Sequence, residues 1–404
     1  MSNIEYNRKN KEAKPVVAIC YDFDKTLSPE DMQAQGYIQS LDFEIKDFWT
    51  KSNSMASDND MDQNLAYMYL MVTEAEGHHV LNKETLENYG SKVSLFKGVE
   101  EWFKRICDYG KKKGVIVEHY IISSGIKEMI EGTNIAKQKV FEKIYASSFY
   151  FNEKGVAKWP AQVVNYTNKT QFLFRIEKGI LDINDPGVND FFPPDELRVP
   201  FRNIIYIGDS DTDIPCMKLV NTYGGYSIGV YNPESCDKEK VYKMINDNRI
   251  KYFAPADYRE DKELDILVKS IIDRTIANEK LESAHFKYYN EALEAEKKDI
   301  RSEEDQKKDD LISELSISKS FKYTHFIIRR LKDYSNWNNE QLEKLFTIAI
   351  SNEQVSWIIK DEDVKEFYLE ILKFCNFNSE SEKKLRKLLE SWSIKKLNKF
   401  NMFI

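Results

Sequence analysis

Two carboxylates two residues apart close an apolar run near the start of the chain: Val16-Val17-Ala18-Ile19-Cys20-Tyr21-Asp22-Phe23-Asp24-Lys25-Thr26-Leu27. Along a strand, residues i and i+2 share a side, so Asp22 and Asp24 can point into one site. A run that is apolar on both faces suits a buried parallel strand. Ligand sites in open α/β sheets lie at the carboxyl ends of such strands. Two acids there repel unless a cation or a proton lies between them. The pair therefore points to metal-assisted chemistry. The plain alternative is an ordinary strand followed by a polar turn.

Three further segments bear on that choice. Glu118-His119-Tyr120-Ile121-Ile122-Ser123-Ser124-Gly125 is a second strand candidate, ending in hydroxyls and a glycine. Lys169 opens a helical pattern closed by Gly179, as helices often are. Asn203-Ile204-Ile205-Tyr206-Ile207-Gly208-Asp209-Ser210-Asp211-Thr212-Asp213 is a third strand ending in acids. The order is acid pair, hydroxyl, lysine, acid cluster. These motifs, Asp-x-Asp-x-Thr at 22–26, Ser123, Lys169 and Gly-Asp-x-x-x-Asp at 208–213, resemble the phosphatase branch of the haloacid dehalogenase (HAD) superfamily. The resemblance covers roughly residues 14–275.

What the resemblance implies is specific. The fold is α/β, a doubly wound Rossmann-like parallel sheet with an inserted helical cap. The reaction is Mg²⁺-dependent hydrolysis of a phosphomonoester through a phospho-aspartate. Asp22 is the nucleophile, and Asp22 and Asp209 are metal ligands together with the Asp24 backbone carbonyl. Mg²⁺ suits such a site because it tolerates few protein ligands and keeps waters. Asp24 is the general acid and base. Its presence favours a phosphatase, since dehalogenases lack this second acid and the ATPase pumps carry Thr there. Asp213 is an outer or water-mediated partner of the metal. For Asp213 and Asp211 the alternative is capping of the next helix. Thr26 either orients Asp24 or caps the following turn. Ser123 and Lys169 hold phosphoryl oxygens, with Ser124 and Lys158 as rivals for those two roles. A phosphomutase would use the same acids.

Composition limits the other possibilities. The chain has 404 residues, 42% of them hydrophobic, enough for two or three cores. Net charge is −8, from 59 basic and 67 acidic residues, which argues against a broad nucleic-acid footprint. Cysteines 20, 107, 216, 236 and 375 are odd in number and lack metal-ligand spacing, so a reducing compartment is expected. Met1 to Lys14 is polar and charged, unlike a signal peptide, and no apolar run approaches a membrane span. A cytoplasmic protein acting on a small phosphorylated substrate follows as the expectation, with no membrane partner.

The elements that must position the site can be read in outline. The phosphatase-like core is expected over 14–276, with the cap at about 30–97. Within the cap, Asp47-Phe48-Trp49 and Leu65 to Val72 are helical in pattern. Lys51 to Met61 is polar and is expected to be a loop. His78-His79 could reach substrate from the cap, but adjacent residues on a helix diverge, which argues against a joint metal site. A helix is expected at 98–113, its Lys111-Lys112-Lys113 end favoured by the dipole, and another over Ile126 to Lys139. Lys143 to Phe151 and Val156 to Tyr166 form a hairpin around Asn152 to Gly155. Asp182 to Pro200, with four prolines, is a long loop. Strands at 224–231 and 252–254 and a helix from Asp265 to Ile276 complete the core. Residues 277–310 are a charged linker or solvated helix, protease-sensitive near 297–310. An all-α domain follows at 311–404, with helices at 321–334, 339–350, 361–374 and 381–397. Asn338 or Asn339, and Asp361, sit where N-caps belong. His325 and Trp357 are assigned to packing. This domain carries no recognised catalytic motif. It is a candidate docking module for a protein partner that would control the phosphatase domain.

Overall fold

The computed structural model describes residues 6–235, 237–297, 303–376 and 378–400. Expectations for Cys236, for 298–302 and for the first five residues lie outside them. The chain divides into two compact units, residues 1–188 with 192–284, and residues 189–191 with 285–404.

The first unit is built around β1 (Val16–Tyr21), whose six residues are all buried. An inserted segment follows, with helices α1 (Ile45–Asp58), α2 (Gln63–Ala75) and α3 (Lys83–Gly90). α4 (Val99–Lys112) leads to β2 (Ile116–Ile126), then the short helices α5 (Lys127–Gly132) and α6 (Asn134–Lys137). The hairpin β3 (Phe141–Phe151) and β4 (Ala157–Gln162) precedes α7 (Lys169–Lys178). β5 (Ile204–Gly208), α8 (Ile214–Thr222), β6 (Tyr226–Tyr231), α9 (Glu239–Asn246) and β7 (Tyr252–Pro255) complete the sheet, and α10 (Glu263–Lys297) leaves it. The seven strands run in the order β4-β3-β2-β1-β5-β6-β7. All neighbours are parallel except β3 and β4. The parallel sheet with helical crossovers has the α/β architecture that the apolar strands imply.

Register does the positioning. Tyr21 of β1 lies opposite Ile121 of β2 and Ile207 of β5. The residues that follow each of the three therefore leave the sheet at one edge. β2 loses its pairing with β3 between Ile122 and Ile126, so Ser123, Ser124 and Gly125 fall in an irregular stretch beside that edge. Such irregularities re-aim side chains next to functional sites.

Two sequence expectations need correction here. Lys51 to Asp58 is not a loop but the second half of α1. Phe48, Ser52 and Ala56 recur every fourth residue and are all buried, so small residues carry the inner face and hide the apolar period. Nor is Ile126 to Lys139 one helix. Ile126 ends β2, and Thr133 separates α5 from α6, its hydroxyl accepting from the Ala136 N–H at 3.3 Å.

The second unit holds the rest of α10, α11 (Glu303–Ile317), α12 (Phe321–Leu331), α13 (Asn339–Ser351), α14 (Glu353–Ile358), α15 (Glu362–Ile371) and α16 (Glu380–Phe400). Its own core includes Leu315, Ile327, Leu345, Phe346 and Tyr368. Residues 303–310, expected within a charged linker or solvated helix, are helical, and Lys308 is buried with its ammonium 2.9 Å from Glu304. α14 was not expected. Asn338 caps α13 as expected, accepting from Gln341 N–H at 2.9 Å. Asp361 makes no cap bond to α15; it lies 3.2 Å from His325 Nε2, whose Nδ1 is 2.8 Å from Asp363. Trp357 is exposed, outside that core.

A buried polar chain ties β1 and β2 to α4. Trp102 Nε1–H donates to the Tyr21 hydroxyl at 2.7 Å, which donates to His119 Nδ1 at 3.0 Å. His119 Nε2–H donates to the Phe103 carbonyl at 3.1 Å. The carbonyl can only accept, so Nε2 carries a proton, and burial keeps the ring neutral, leaving Nδ1 to accept from Tyr21. Burial pulls the ring's pKa down to about 4. An unfolded histidine titrates near ~6.5. Between those values the unfolded chain binds a proton that the folded one refuses, so stability falls as pH drops from about 6.5 to about 4. The loss should be on the order of 2–3 kcal/mol. Urea unfolding across this window should show a steeper acid loss for the native chain than for His119→Gln. Parallel profiles would reject the assignment.

Candidate active site

The site begins where β1 ends. Asp22 N–H still pairs with the Ile207 carbonyl at 3.0 Å, which fixes Asp22 against β5. The chain then turns tightly. The N–H groups of Thr26, Leu27 and Ser28 all converge on the Phe23 carbonyl, at 3.3, 2.8 and 3.1 Å. Lys25 takes φ +57° to make this turn, a left-handed conformation that costs a non-glycine residue on the order of 1 kcal/mol. The loop is held down by the Tyr258 hydroxyl, which donates to the Thr26 carbonyl at 2.8 Å. Asp24 is fixed by the Met32 N–H, donating to its Oδ1 at 2.8 Å.

Asp22, Asp24, Ser123, Ser124 and Asp209 line one cavity of about 620 Å³. Lys169 lies behind its wall, fully buried, with Nζ 3.2 Å from Asp22 Oδ1 and 2.8 Å from Asp213 Oδ1. It is the first residue of α7, placed there by Asn165, whose carbonyl accepts from the Lys169 N–H at 3.0 Å. Asp213 is saturated by protein donors: Lys169 and the Tyr206 hydroxyl on Oδ1, both at 2.8 Å, and Ser210 N–H and Oγ–H on Oδ2, at 3.2 and 3.0 Å. It makes no cap bond to α8 from the N-cap position, but its Oδ2 closes a capping box with Ser210 over the short turn at 211–213, so the capping alternative holds there. Gly208 is required beneath it, because a Cβ there would lie 2.5 Å from Asp213 Oδ2. Gly125 likewise leaves room for Met32, whose Cε would be 2.3 Å from an added Cβ.

The other expected residues sort clearly. Ser123 Oγ accepts from Gly125 N–H at 3.1 Å, while Ser124 Oγ is buried with no hydrogen-bond partner. Thr26 Oγ1 is also buried and makes no hydrogen bond to Asp24 or to the turn. Lys158 is exposed on β4 and does not reach the cavity. His78 lies 3.6 Å from Asp42, and His79 packs edge-on against Tyr37; neither lines the cavity.

Sequence reasoning missed the opposite wall. It consists of Met61 to Asn64 from the inserted segment, with Asn165 and Tyr166 from the approach to α7. Asp62 Oδ1 accepts from the N–H groups of Asn64 and Leu65, at 2.9 and 3.0 Å, as the N-cap of α2. Its Oδ2 accepts from Asn165 Nδ2 at 2.7 Å, and Asn64 Nδ2 donates to the Val164 carbonyl at 2.8 Å. The available signal was Asp62 standing just before the apolar run of α2, a cap position. Lys25, Asp31, Gly125, Ser210, Thr212 and Lys240 complete the lining; nothing in the local sequence marked Lys240.

Electrostatics single out the acids. Burial, then Asp213, raises the Asp22 pKa to about 6 against the opposing pull of Lys169. Burial, then Asp213 and Asp22, raises Asp209 to about 7. Asp24 is pushed well above the carboxylate range by burial, then by Asp31 and Asp22. Burial alone would lower the Lys169 pKa, but Asp213 and Asp22 outweigh it and hold the ammonium charged.

Carboxyl oxygens of Asp22, Asp209 and Asp213 lie within 4.8 Å of one another. Asp22 Oδ1 is buried with an ammonium nearby but no hydrogen bond of good geometry. Asp213 has no lone pair to spare, so Asp22 and Asp209 are the acids able to take a cation. An all-oxygen pair suits a hard divalent ion and does not suit zinc.

Comparisons with known proteins give the following. No family model matches the chain. A protein of Borreliella burgdorferi described as uncharacterized is 27% identical over 276 residues, 63% of this chain and 95% of that one. A HAD family hydrolase from Salmonella enterica serovar Typhi aligns with TM-score 0.42 and 16% identity over 65% of this chain and 73% of its own. A phosphoserine phosphatase in apo form aligns with TM-score 0.39 and 16% identity over 61% and 94%. Cytosolic 5'-nucleotidase IIIB bound to cytidine gives TM-score 0.38 and 14% identity over 64% and 86%.

Lys169→Met should destabilise the first unit by about 3–5 kcal/mol, because it strands buried carboxylates without their cation. Chemical unfolding measures this. A loss under about 1 kcal/mol would mean that the acids are satisfied without the ammonium.

Proposed function

We propose that the chain is a phosphomonoesterase of the haloacid dehalogenase superfamily. The observation that carries this reading is the constellation at one sheet edge: Asp22 against a buried Lys169, with Asp209 beside it and Asp24 two residues on. A Mg²⁺ ion held by Asp22 and Asp209 would supply charge neutralisation for the phosphate and for both carboxylates.

Asp22 attacks phosphorus and forms an aspartyl-phosphate. Asp24 carries the proton that the departing oxygen needs, in keeping with its raised pKa. It then takes a proton from the water that hydrolyses the intermediate, and Asp22 is regenerated. Lys169 offsets the charge that gathers at Asp22 as the phosphoryl group joins it. Ser123 and Ser124, which line the cavity where the β2–β3 register breaks, are assigned the phosphoryl oxygens in this reading. Asp213 is a positioning residue that acts through Lys169. Full hydrolysis, rather than return of the phosphoryl group as in a mutase, is the simpler use of a cavity that stays open to water. Five scattered cysteines without metal-ligand spacing are in keeping with a reducing, cytoplasmic setting.

Two measurements test this. Asp22→Asn should lower phosphate release by at least about a hundredfold while preserving the circular dichroism spectrum; turnover above that level in clean protein would remove Asp22 as nucleophile. Chelation with EDTA should abolish turnover and Mg²⁺ should restore it. Mg²⁺ should also raise the melting temperature of the native chain, and less so that of Asp209→Asn. Full activity in metal-free buffer would be fatal to the metal assignment.

A further inference from the structure

The cavity reaches well beyond the acids, and its outer wall states what can leave from the phosphate. Fifteen of its 17 lining residues carry hydrogen-bonding side chains; Met61 and Gly125 are the exceptions. An apolar or aryl group would strand these polar atoms out of water. Charge is equally informative. Both lining lysines already face carboxylates: Lys25 Nζ lies 3.1 Å from Asp31 and Lys240 Nζ 3.7 Å from Asp209. Lys25 is held by Asp31, so a substrate carboxylate could engage only Lys240, and only where the proposed Mg²⁺ draws Asp209 away from it. The outer carboxylates are committed too. Asp62 caps α2 and accepts from Asn165, and Asp31 holds Lys25. A substrate ammonium would have to displace those partners.

What stays open is neutral. Gln63 stands exposed at the first turn of α2, and its amide makes no hydrogen bond among the described residues. The Tyr166 hydroxyl, on a ring 57% exposed, is likewise without a partner among them. The two come from opposite sides of the polar clasp that Asp62 and Asn64 form with the 163–166 segment. We infer that the leaving group is uncharged and rich in hydroxyls, a sugar or polyol, held by Gln63 and Tyr166. This rests on the phosphatase reading above.

The test uses the full chain with Mg²⁺ and four phosphomonoesters. These are a hexose or hexitol monophosphate, phosphoserine, phosphocholine and nitrophenyl phosphate. The hydroxyl-rich ester should exceed the others in kcat/KM by about tenfold or more. Gln63→Ala and Tyr166→Phe should each raise its KM about fivefold, with kcat within about twofold. Both variants should raise KM for nitrophenyl phosphate less than for the hydroxyl-rich ester. Preference for the charged or aryl esters, or an unchanged KM in both variants, would overturn this inference and leave the phosphatase reading standing. No phosphate release from any of the four would overturn both.

Discussion

Everything at the candidate site depends on one imbalance of charge. Three buried or half-buried carboxylates, Asp22, Asp209 and Asp213, gather around a single buried ammonium, Lys169. Desolvation makes each charge expensive, and mutual repulsion among the acids adds to the cost. The fold tolerates this because Asp213 is completely hydrogen-bonded and Lys169 has two counter-ions. Asp22 and Asp209 are left with pKa values near 6 and 7, far from where an exposed carboxylate titrates. A cation or a transferring phosphate would change this balance at once, which marks the cluster as a candidate site and not only a structural ion pair.

The sheet is what makes the cluster possible. Parallel pairing of β1 with β2 and β5 brings three loop entrances to the same edge. The broken register between β2 and β3 releases Ser123 to Gly125 from the ladder. The left-handed Lys25 then turns the chain so that Asp24 is caught by Met32. The strain at Lys25 is local, and it is offset by the Tyr258 hydroxyl and the backbone bonds that pin the turn. Gly208 and Gly125 are small for the same reason: each lets a neighbouring side chain approach the sheet edge more closely than a Cβ would permit.

This core half was legible because its signals are local. Apolar runs with acids or hydroxyls at their ends are visible in the sequence, and strand pairing then assembles them. α7 was legible from a lysine start and a glycine stop. Gly179 does take φ +71° at its C-cap. The cap half was less legible. The second part of α1 buries Ser52 and Ala56, so its inner face carries no apolar stripe to detect. Asp62 does two jobs at once, capping α2 and holding Asn165, and only the first has a sequence signature. Lys240 comes to the cavity from α9 by topology alone. In the second unit, Asp361 stood at a cap position but its carboxylate went to His325, a tertiary contact that overrode the local preference.

The two walls of the cavity therefore differ in kind. The inner wall is fixed by buried charge, and any change there disturbs stability and chemistry together, as with Lys169 between Asp22 and Asp213. The outer wall is made of neutral amides and a hydroxyl at the surface, where one side chain can change without exposing a buried ion. Of its carboxylates, Asp62 is offset by the start of α2 and by Asn165, and Asp31 by Lys25. Selectivity built this way uses hydrogen bonds that are open in the free protein. It works by penalising partners that leave buried polar groups unmatched, more than by attracting one charge. Under the proposed function, the reacting end would stay constant while the outer wall selected what it acts on.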